Sequence, residues 1–353
     1  MAINHIELFA GLGGFRTAMQ LVSASSTVSF KCMAYSEIER NATRAYQANF
    51  DTVDEIEMGD IVAFTAAPER LATLPHVDLV TGGFPCQSFS MMGGQLGFQD
   101  PRGNLFFNIL DVIQQVTPPF ILLENVKNLK THDGGNTFRV IRESIEGLGY
   151  HFFADVFNTA EFGLAQTRNR VYMFATTQDL PNGFVFSAES VKSFFNAHNK
   201  RNLFICRQEN THDVLDVVVP QKYYLSDKLK RTILANGSGG FVSKSDIDLL
   251  TARPLCATMH KMHRACQDNY FSQGFIDGEY DGPTTGTDAM RFDIRRLTPR
   301  EAFRLQGFPE QYINNLQELG LSDSAMYKLA GNAISVNVVY AILSYLATSL
   351  NWR

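Results

Sequence analysis

Three features of the sequence could do chemistry: a lone thiol, a carboxylate ending an apolar run, and a pair of alternating guanidiniums. Cys86 lies in Val80-Thr81-Gly82-Gly83-Phe84-Pro85-Cys86-Gln87-Ser88-Phe89-Ser90, after a proline and on the heels of an apolar stretch. A cysteine that only fills a core gap needs neither a glycine pair before it nor a polar run after it. A thiol in such a loop is a candidate nucleophile; a packed, inert thiol is the competing interpretation. Glu124 ends the apolar run Leu122-Leu123-Glu124-Asn125-Val126. A carboxylate there can act as an acid or anchor hydrogen bonds. In Gln166-Thr167-Arg168-Asn169-Arg170, alternation puts Gln166, Arg168 and Arg170 on one face. Two guanidiniums so placed can clamp a phosphate or hold a base edge, or else form a salt-bridged strand edge.

A second set of residues has the pattern of a ligand cradle. Phe9-Ala10-Gly11-Leu12-Gly13-Gly14 falls between an expected strand and an expected helix. Glycines there permit a tight turn and close approach of a ligand to the backbone, with the helix N-terminus facing it. Glu37 follows the next strand, 24 residues after Gly13, where an acid can hold two ribose hydroxyls. The match to the dinucleotide fingerprint is incomplete, because Arg16 stands at its last glycine. Asp60-Ile61 after Gly59 could serve an adenine ring, the carboxylate accepting from its amino group. His260, His263, Cys266 and Cys256 are close together but lack zinc-ligand spacing, and no metal site is expected.

The elements that must position these groups alternate along the first half. Strands are expected at 6–9, 30–35, 77–80, 119–123, 150–157 and 170–175, and helices at 15–22, 40–49, 105–116 and 137–148. Such spacing predicts an α/β fold, a mostly parallel sheet covered on both faces, with an antiparallel pair near Tyr150 and Val171. In open parallel sheets ligands bind outside the carboxyl ends of the strands, which puts Phe9, Glu37, Cys86 and Glu124 on one rim. From about 179 the periodicity weakens and glycines cluster at Gly237-Ser238-Gly239-Gly240 and across Gly274, Gly278, Gly282 and Gly286. The expected division is a catalytic and cofactor-binding domain at 1–178, an irregular recognition domain at 179–309, and a segment at 310–353 returning to the first. Helical patterning resumes at Pro299 and Leu321, and 332–350 reads as one final helix.

With 353 residues, 45% of them hydrophobic, the chain can build one large domain and a smaller one. The five cysteines are Cys32, Cys86, Cys206, Cys256 and Cys266; an odd set without a CxxC suggests a reduced, intracellular protein. The expected location is cytoplasmic, with no signal peptide and no uncharged apolar run of membrane-span length. The formal charge of -5 is not that of a generic nucleic-acid coat, but local charge decides docking. Arg291, Arg295, Arg296, Arg300 and Arg304 form a basic seam that could neutralise phosphates, or simply a solvated helix face.

Taken in order, these motifs resemble the DNA (cytosine-5)-methyltransferases of bacterial restriction-modification systems, over nearly the whole chain. Phe9 to Gly14 resembles the motif that cradles S-adenosylmethionine. Glu37, with Ile38 beside it, matches the ribose-binding acid, and Asp60-Ile61 the adenine-contacting pair. Gly83-Phe84-Pro85-Cys86-Gln87 resembles the nucleophile loop, and Arg102-Gly103-Asn104-Leu105-Phe106-Phe107 the motif after it. Glu124-Asn125-Val126 and Gln166-x-Arg168-x-Arg170 match two further motifs. Arg296 to Glu301 and Gln306-Gly307-Phe308-Pro309 match the motif closing the recognition domain, and Gly331-Asn332-Ala333-Ile334 the last, which returns to the cofactor site. Ala165 and Ala333 depart from the proline and serine common there, without removing a nucleophile or a charge.

The resemblance implies a Rossmann-like S-adenosylmethionine-dependent methyltransferase fold with a smaller target-recognition domain. It implies S-adenosylmethionine as cofactor and S-adenosylhomocysteine as product. Phe9, Ala10, Gly11, Leu12, Gly13, Gly14, Glu37, Ile38, Asp60, Ile61, Pro85, Leu105, Asn332, Ala333 and Ile334 are then cofactor residues, and Cys86, Glu124, Arg168 and Arg170 catalytic ones. Double-stranded DNA is the implied partner, with base flipping, a lid between Met91 and Gly103, and a monomeric enzyme. A restriction endonuclease acting on the same site follows only from family habit. The rival interpretations are a tRNA cytosine-5 methyltransferase, whose Cys-Phe-Thr segment is not found here, and a non-catalytic DNA-binding relative.

Overall fold

The computed structural model describes residues 2–85, 105–198, 205–235, 246–261, 263–264, 266–284 and 289–352, with the backbone of 237–238 and 241–242. Cys86, the lid expected from Met91 to Gly103, and Gly239, Gly240 and Gly286 lie outside the described residues.

The chain forms two compact units. The first comprises Met1–Asn158, Asn169–Phe204 and Val338–Arg353; the second comprises Thr159–Arg168 and Ile205–Asn337. These bounds differ from the expected division at 178. The stretch 159–168 leaves the first unit before strand 169–176 rejoins it, and Ala188–His198 is a helix of the first unit. That helix was missed because only Val191 and Phe195 mark its buried face.

In the first unit the strands are β1 (Ala2–Leu8), β2 (Ser29–Tyr35), β3 (Ile56–Glu57), β4 (Leu79–Gly83), β5 (Phe120–Val126), β6 (His151–Asn158) and β7 (Asn169–Thr176). They make one sheet in the order β3-β2-β1-β4-β5-β7-β6. The first five are parallel, and β7 runs antiparallel to both neighbours. The antiparallel pair was expected; β7 sits inside the sheet and β6 takes its edge. Near-continuous apolar runs such as Phe120 to Leu123 suit strands buried on both faces. The helices include α1 (Gly14–Ser25), α2 (Arg40–Asn49), α3 (Ile61–Thr65), α4 (Pro68–Leu71), α5 (Leu105–Val116) and α6 (Asn136–Gly147). Side chains from β1, β4, β5 and β7 join those of α3, α5 and α6 in one core cluster. Glu39 and Asp60 cap α2 and α3 by accepting from the Ala42 and Val62 amides, which fixes where these helices start.

The second unit carries a small core of Leu225, Ile233, Leu234, Ile247, Tyr270, Ala289 and Ile294 around the antiparallel pair Tyr270–Ser272 and Ile294–Arg296. Helices Pro299–Leu305, Glu310–Glu318 and Asp323–Asn332 follow. The single final helix expected over 332–350 is broken at 333–335, and its second part is Val336–Ser349. Contrary to the expectation for apolar runs, Asp323–Ser349 is long and apolar enough to cross a membrane by length and composition. It folds as two helices, and 83% of its most apolar window is buried inside the protein.

Candidate active site

Parallel register gathers the chemistry at one rim of the sheet. β4 ends at Gly83 directly opposite Glu124 on β5, and Glu7 near the end of β1 lies opposite Tyr35 on β2. Glu124 and Asn125 therefore belong to the strand rather than following it. The Asn125 side-chain amide donates to the Phe84 carbonyl at 2.9 Å. That bond, between buried groups, ties β5 to the backbone two residues before Cys86. Pro85, the last described residue of this loop, is exposed, while Phe84 is buried in the core.

Glu124 is buried and meets Arg170 across β5 and β7, Oε1 to Nε at 3.0 Å. Arg170 also donates to the Asn169 carbonyl. The bond through Nε holds one oxygen of the Glu124 carboxyl against β7.

The glycine turn is built as a cradle. Phe9, Gly11 and Gly13 all have positive φ, 54°, 55° and 71°; at Phe9 this is unusual for a residue with a side chain. Ser36 stitches the turn to β2, its hydroxyl taking the Phe9 amide at 3.0 Å and its carbonyl the Ala10 amide at 2.8 Å. Glu37 continues the seam: Oε2 accepts from the Gly11 amide at 2.8 Å, and Oε1 from the Ile38 and Glu39 amides. Ala10 and Leu12 are buried, and Gly14 begins α1.

Beside this turn an open cleft of about 500 Å³ is lined by Glu37, Ile38, Arg40, Thr43, Arg44, Glu57, Gly59 and Asp60. Ile38 presents an apolar side chain there that is 74% exposed. A carboxylate for hydroxyls, an apolar surface for a flat ring and an acid for its amino edge fit an adenosine moiety. The Ile61 side chain is in the core, and Ile61 does not line the cleft. Leu105, the first residue of α5, is half-buried against the same core.

In the second unit Arg168 is turned toward the main chain of its own unit. Its guanidinium is buried and donates to the carbonyls of Leu255 at 3.0 Å, Gly331 at 3.2 Å and Ala333 at 3.0 Å. These bonds hold both terminal nitrogens to main chain of its own unit. Gln166 does parallel work, donating to the Leu305 carbonyl and accepting from the Leu255 amide. The alternating motif thus crosses the division between the units, Gln166 and Arg168 belonging to one and Arg170 to the other. Asn332 is exposed, Ala333 buried and Ile334 half-buried, at the break after the Asp323–Asn332 helix.

The arginine seam is corrected. Arg295 is wholly buried and forks onto Glu301, with both bonds at 2.8–2.9 Å. Glu301 in turn closes a capping box with Thr298. Arg304 pairs with Asp216 and Glu310, and Arg300 with Glu310. Carboxylates near in sequence, and Asp216 from 88 residues away, take up the charges of Arg295, Arg300 and Arg304, while Arg291 and Arg296 lie over the Phe292 and Tyr327 rings. Sequence reasoning missed Asn125 as an anchor, Gln208, which accepts from the Ala165 amide and donates to the Arg304 carbonyl, and Gln306, which holds Ala330 and Ser335. A buried glutamine in a loop gives no periodic signal.

The family described as C-5 cytosine-specific DNA methylase matches residues 3–347. Type II methyltransferase M1.ScrFI of Lactococcus lactis subsp. cremoris is 36% identical, over 96% of this chain and 76% of that protein. Type II methyltransferase M.HaeII of Haemophilus aegyptius is 33% identical over 98% of this chain and 93% of its own. In fold, the chain is similar to the crystal structure of S. pombe Dnmt2 methyltransferase, with a TM-score of 0.72, 20% identity and full coverage of both chains.

Proposed function

The chain belongs to the C-5 cytosine-specific DNA methylase family, and from that premise we propose that it methylates C5 of a cytosine flipped out of a specific duplex DNA sequence, through a covalent bond between Cys86 and C6. The observation that carries this reading is the Glu124–Arg170 pair opposite Gly83, three residues before Cys86. It supports the reading because the carboxyl group lies across from the strand end that leads to Cys86.

C5 of a neutral cytosine ring is a poor nucleophile. The Cys86 thiolate bonds to C6, and the C5–C6 π electrons move toward C5 and the ring nitrogen. Glu124 holds the N3 and amino edge and shares a proton as charge grows there. Arg170 holds one oxygen of that carboxyl. S-adenosylmethionine, when bound, supplies the electrophilic methyl group that C5 takes. Loss of the C5 proton then returns its electron pair to the ring and expels Cys86. A stacked base cannot reach this loop, so the target must leave the helix.

Glu37 would hold the ribose hydroxyls, Asp60 the adenine amino group, and Ile38 the ring face. Gly11 to Gly14 allow the backbone to approach the remainder of the cofactor, with Phe9, Pro85, Leu105 and the 332–334 segment as further candidate contacts. Arg168 would act through the main chain at Leu255, Gly331 and Ala333. We further propose, from the motif resemblance alone, a place in a restriction-modification system, beside an endonuclease acting on the same site, and a cytoplasmic, monomeric enzyme.

The test offers assorted DNA duplexes and bulk tRNA with tritiated S-adenosylmethionine, followed by bisulfite sequencing. We expect label in DNA, at one cytosine of one short sequence. Label confined to tRNA would overturn the substrate, and label resistant to Cys86→Ser would overturn the covalent step.

A further inference from the structure

The glycine turn rests on an aromatic floor. A Cβ at Gly13 would lie 2.3 Å from the Phe50 ring and 3.0 Å from the Tyr46 ring. Tyr46 is stacked on Tyr35 at 4.6 Å between centroids and tilted against Phe50 at 4.7 Å. Arg16 lies over Phe50 at 4.6 Å and Tyr46 at 5.3 Å. The Tyr46 ring is anchored at its hydroxyl, which donates to Glu7 Oε2 at 3.1 Å, accepts from Arg16 Nη1 at 3.1 Å and lies 3.8 Å from Cys32 Sγ, while the Tyr35 hydroxyl accepts from Gln47.

Glu7 is an odd anchor. It is wholly buried in β1, and its Oε1 has no hydrogen-bond partner. Burial pushes its carboxyl up to about 8, against the pull of Arg16 and Tyr46. The groups around it are His5 on β1, Arg16 on α1, Cys32 on β2, Tyr46 on α2 and Glu55 before β3. His5 stays neutral, and burial holds the Cys32 thiol protonated. The one cation, Arg16, is already forked onto Glu55 at 2.6 and 2.8 Å. An ionised Glu7 has no free counter-charge among these groups. It must draw Arg16 off Glu55 and off the two rings, or admit water from the neighbouring cleft lined by His5, Arg16, Cys32 and Glu55. Either change moves the rings that touch Gly13.

We propose that the Glu7–Tyr46 contact is a proton-dependent support of the Gly11–Gly14 turn, so that cofactor affinity falls when Glu7 gives up its proton. Tyr46 is then a positioning residue, and cofactor binding above neutrality takes up a proton. This rests on the cofactor reading of the glycine turn.

The experiment is calorimetric titration of S-adenosylhomocysteine between pH 6.5 and 9.5. For the native protein the dissociation constant rises at least threefold across the range. Glu7→Gln, which keeps an oxygen acceptor for Tyr46 and cannot ionise, gives a flat curve near the native low-pH value. Tyr46→Phe gives a flat, weaker one. Parallel pH curves for the native protein and Glu7→Gln would overturn the proposal. Should Glu7→Gln not fold, titration of the native protein in buffers of different ionisation enthalpy reads the same linkage: fractional proton uptake near pH 8 supports it and none overturns it. Glu37→Ala separates the two readings, since unchanged affinity in that variant removes the cofactor site itself.

Discussion

Glu124 on β5 and Arg170 on β7 meet at 3.0 Å across antiparallel strands, with 10% and 21% of their side chains exposed. The pair links the proposed base-binding acid to a strand that the chain reaches only after its excursion through 159–168. Arg170→Met should therefore lower methyl transfer by about ten- to a hundredfold, as expected for losing one charge-assisted bond of about 1.5–3 kcal/mol. S-adenosylhomocysteine affinity should be unchanged. Single-turnover rates beside calorimetric titration check this, and a native rate in the variant would detach Arg170 from the base site.

Glu37→Ala should act on cofactor affinity. The lost charge-assisted bonds are worth roughly 1.5–3 kcal/mol, an affinity about ten- to a hundredfold weaker. The same carboxylate also holds the Gly11 and Ile38 amides. Glu37→Gln, which keeps one acceptor, should therefore recover part of the loss.

Cys86→Ser should abolish methyl transfer and spare cofactor binding. With 5-fluorocytosine at the target position, the native enzyme should remain joined to DNA on a denaturing gel. Fluorine cannot leave C5 as a cation, so Cys86 cannot be expelled. The adduct should need S-adenosylmethionine for full stability and vanish with Cys86→Ser. Methylated fluorocytosine DNA released freely would refute the assignment of Cys86.

Two buried groups on β1 set opposite pH slopes on stability. Burial lowers His5 to about 3, below its unfolded value of 6.5. Between these values the unfolded chain binds the extra proton, so stability rises with pH. Burial raises Glu7 from 4.5 to about 8. Across that interval the folded state holds the extra proton, and stability falls as pH rises. Their joint contribution climbs from about pH 3, is level between about 4.5 and 6.5, and declines to about 8. Glu7→Gln should remove the upper decline, raising stability at pH 8.5 relative to pH 6 by on the order of a few kcal/mol. Urea unfolding at the two pH values measures it; an equal decline in both proteins would count against the buried acid.

Gly331→Ala should damage the second unit. The added methyl would lie 2.3 Å from both the Ala257 amide nitrogen and the Cys256 carbonyl carbon. Backbone cannot swing aside as a flexible side chain does. The cost should be about 1–3 kcal/mol or more, read as a lower urea midpoint.

The strands and most helices were legible because apolar runs of five or six residues alternate with helical spacing, and Glu124 was visible as the acid closing such a run. The glycine turn was legible from residue type and context, while Cys86 lies outside the described residues. The main-chain contacts of Arg168 were not legible, since alternation gives a face but not the change of unit between Arg168 and Asn169. The arginine seam misled for a related reason. Asp216 and Glu310 reach Arg304 from 88 and 6 residues away, and only the fold shows which charges are spent internally. The support under Gly13 needs Tyr46 and Phe50 to return beneath a turn more than thirty residues earlier, a relation no local pattern carries.

The last stretch of chain bears on how the protein is made. Residues 338–353 belong to the sheet unit, although all of 205–337 comes before them. Trp352 is buried, packed against Phe120 of β5 at 4.9 Å and Phe30 of β2 at 6.3 Å. At a translation rate of about 5–20 residues per second, the strands wait on the order of ten seconds for this closing piece. The nascent sheet spends that interval with an uncovered apolar surface outside the ribosome. Holdase chaperones have a defined window in which to act, and the second unit is free to fold before the first is sealed.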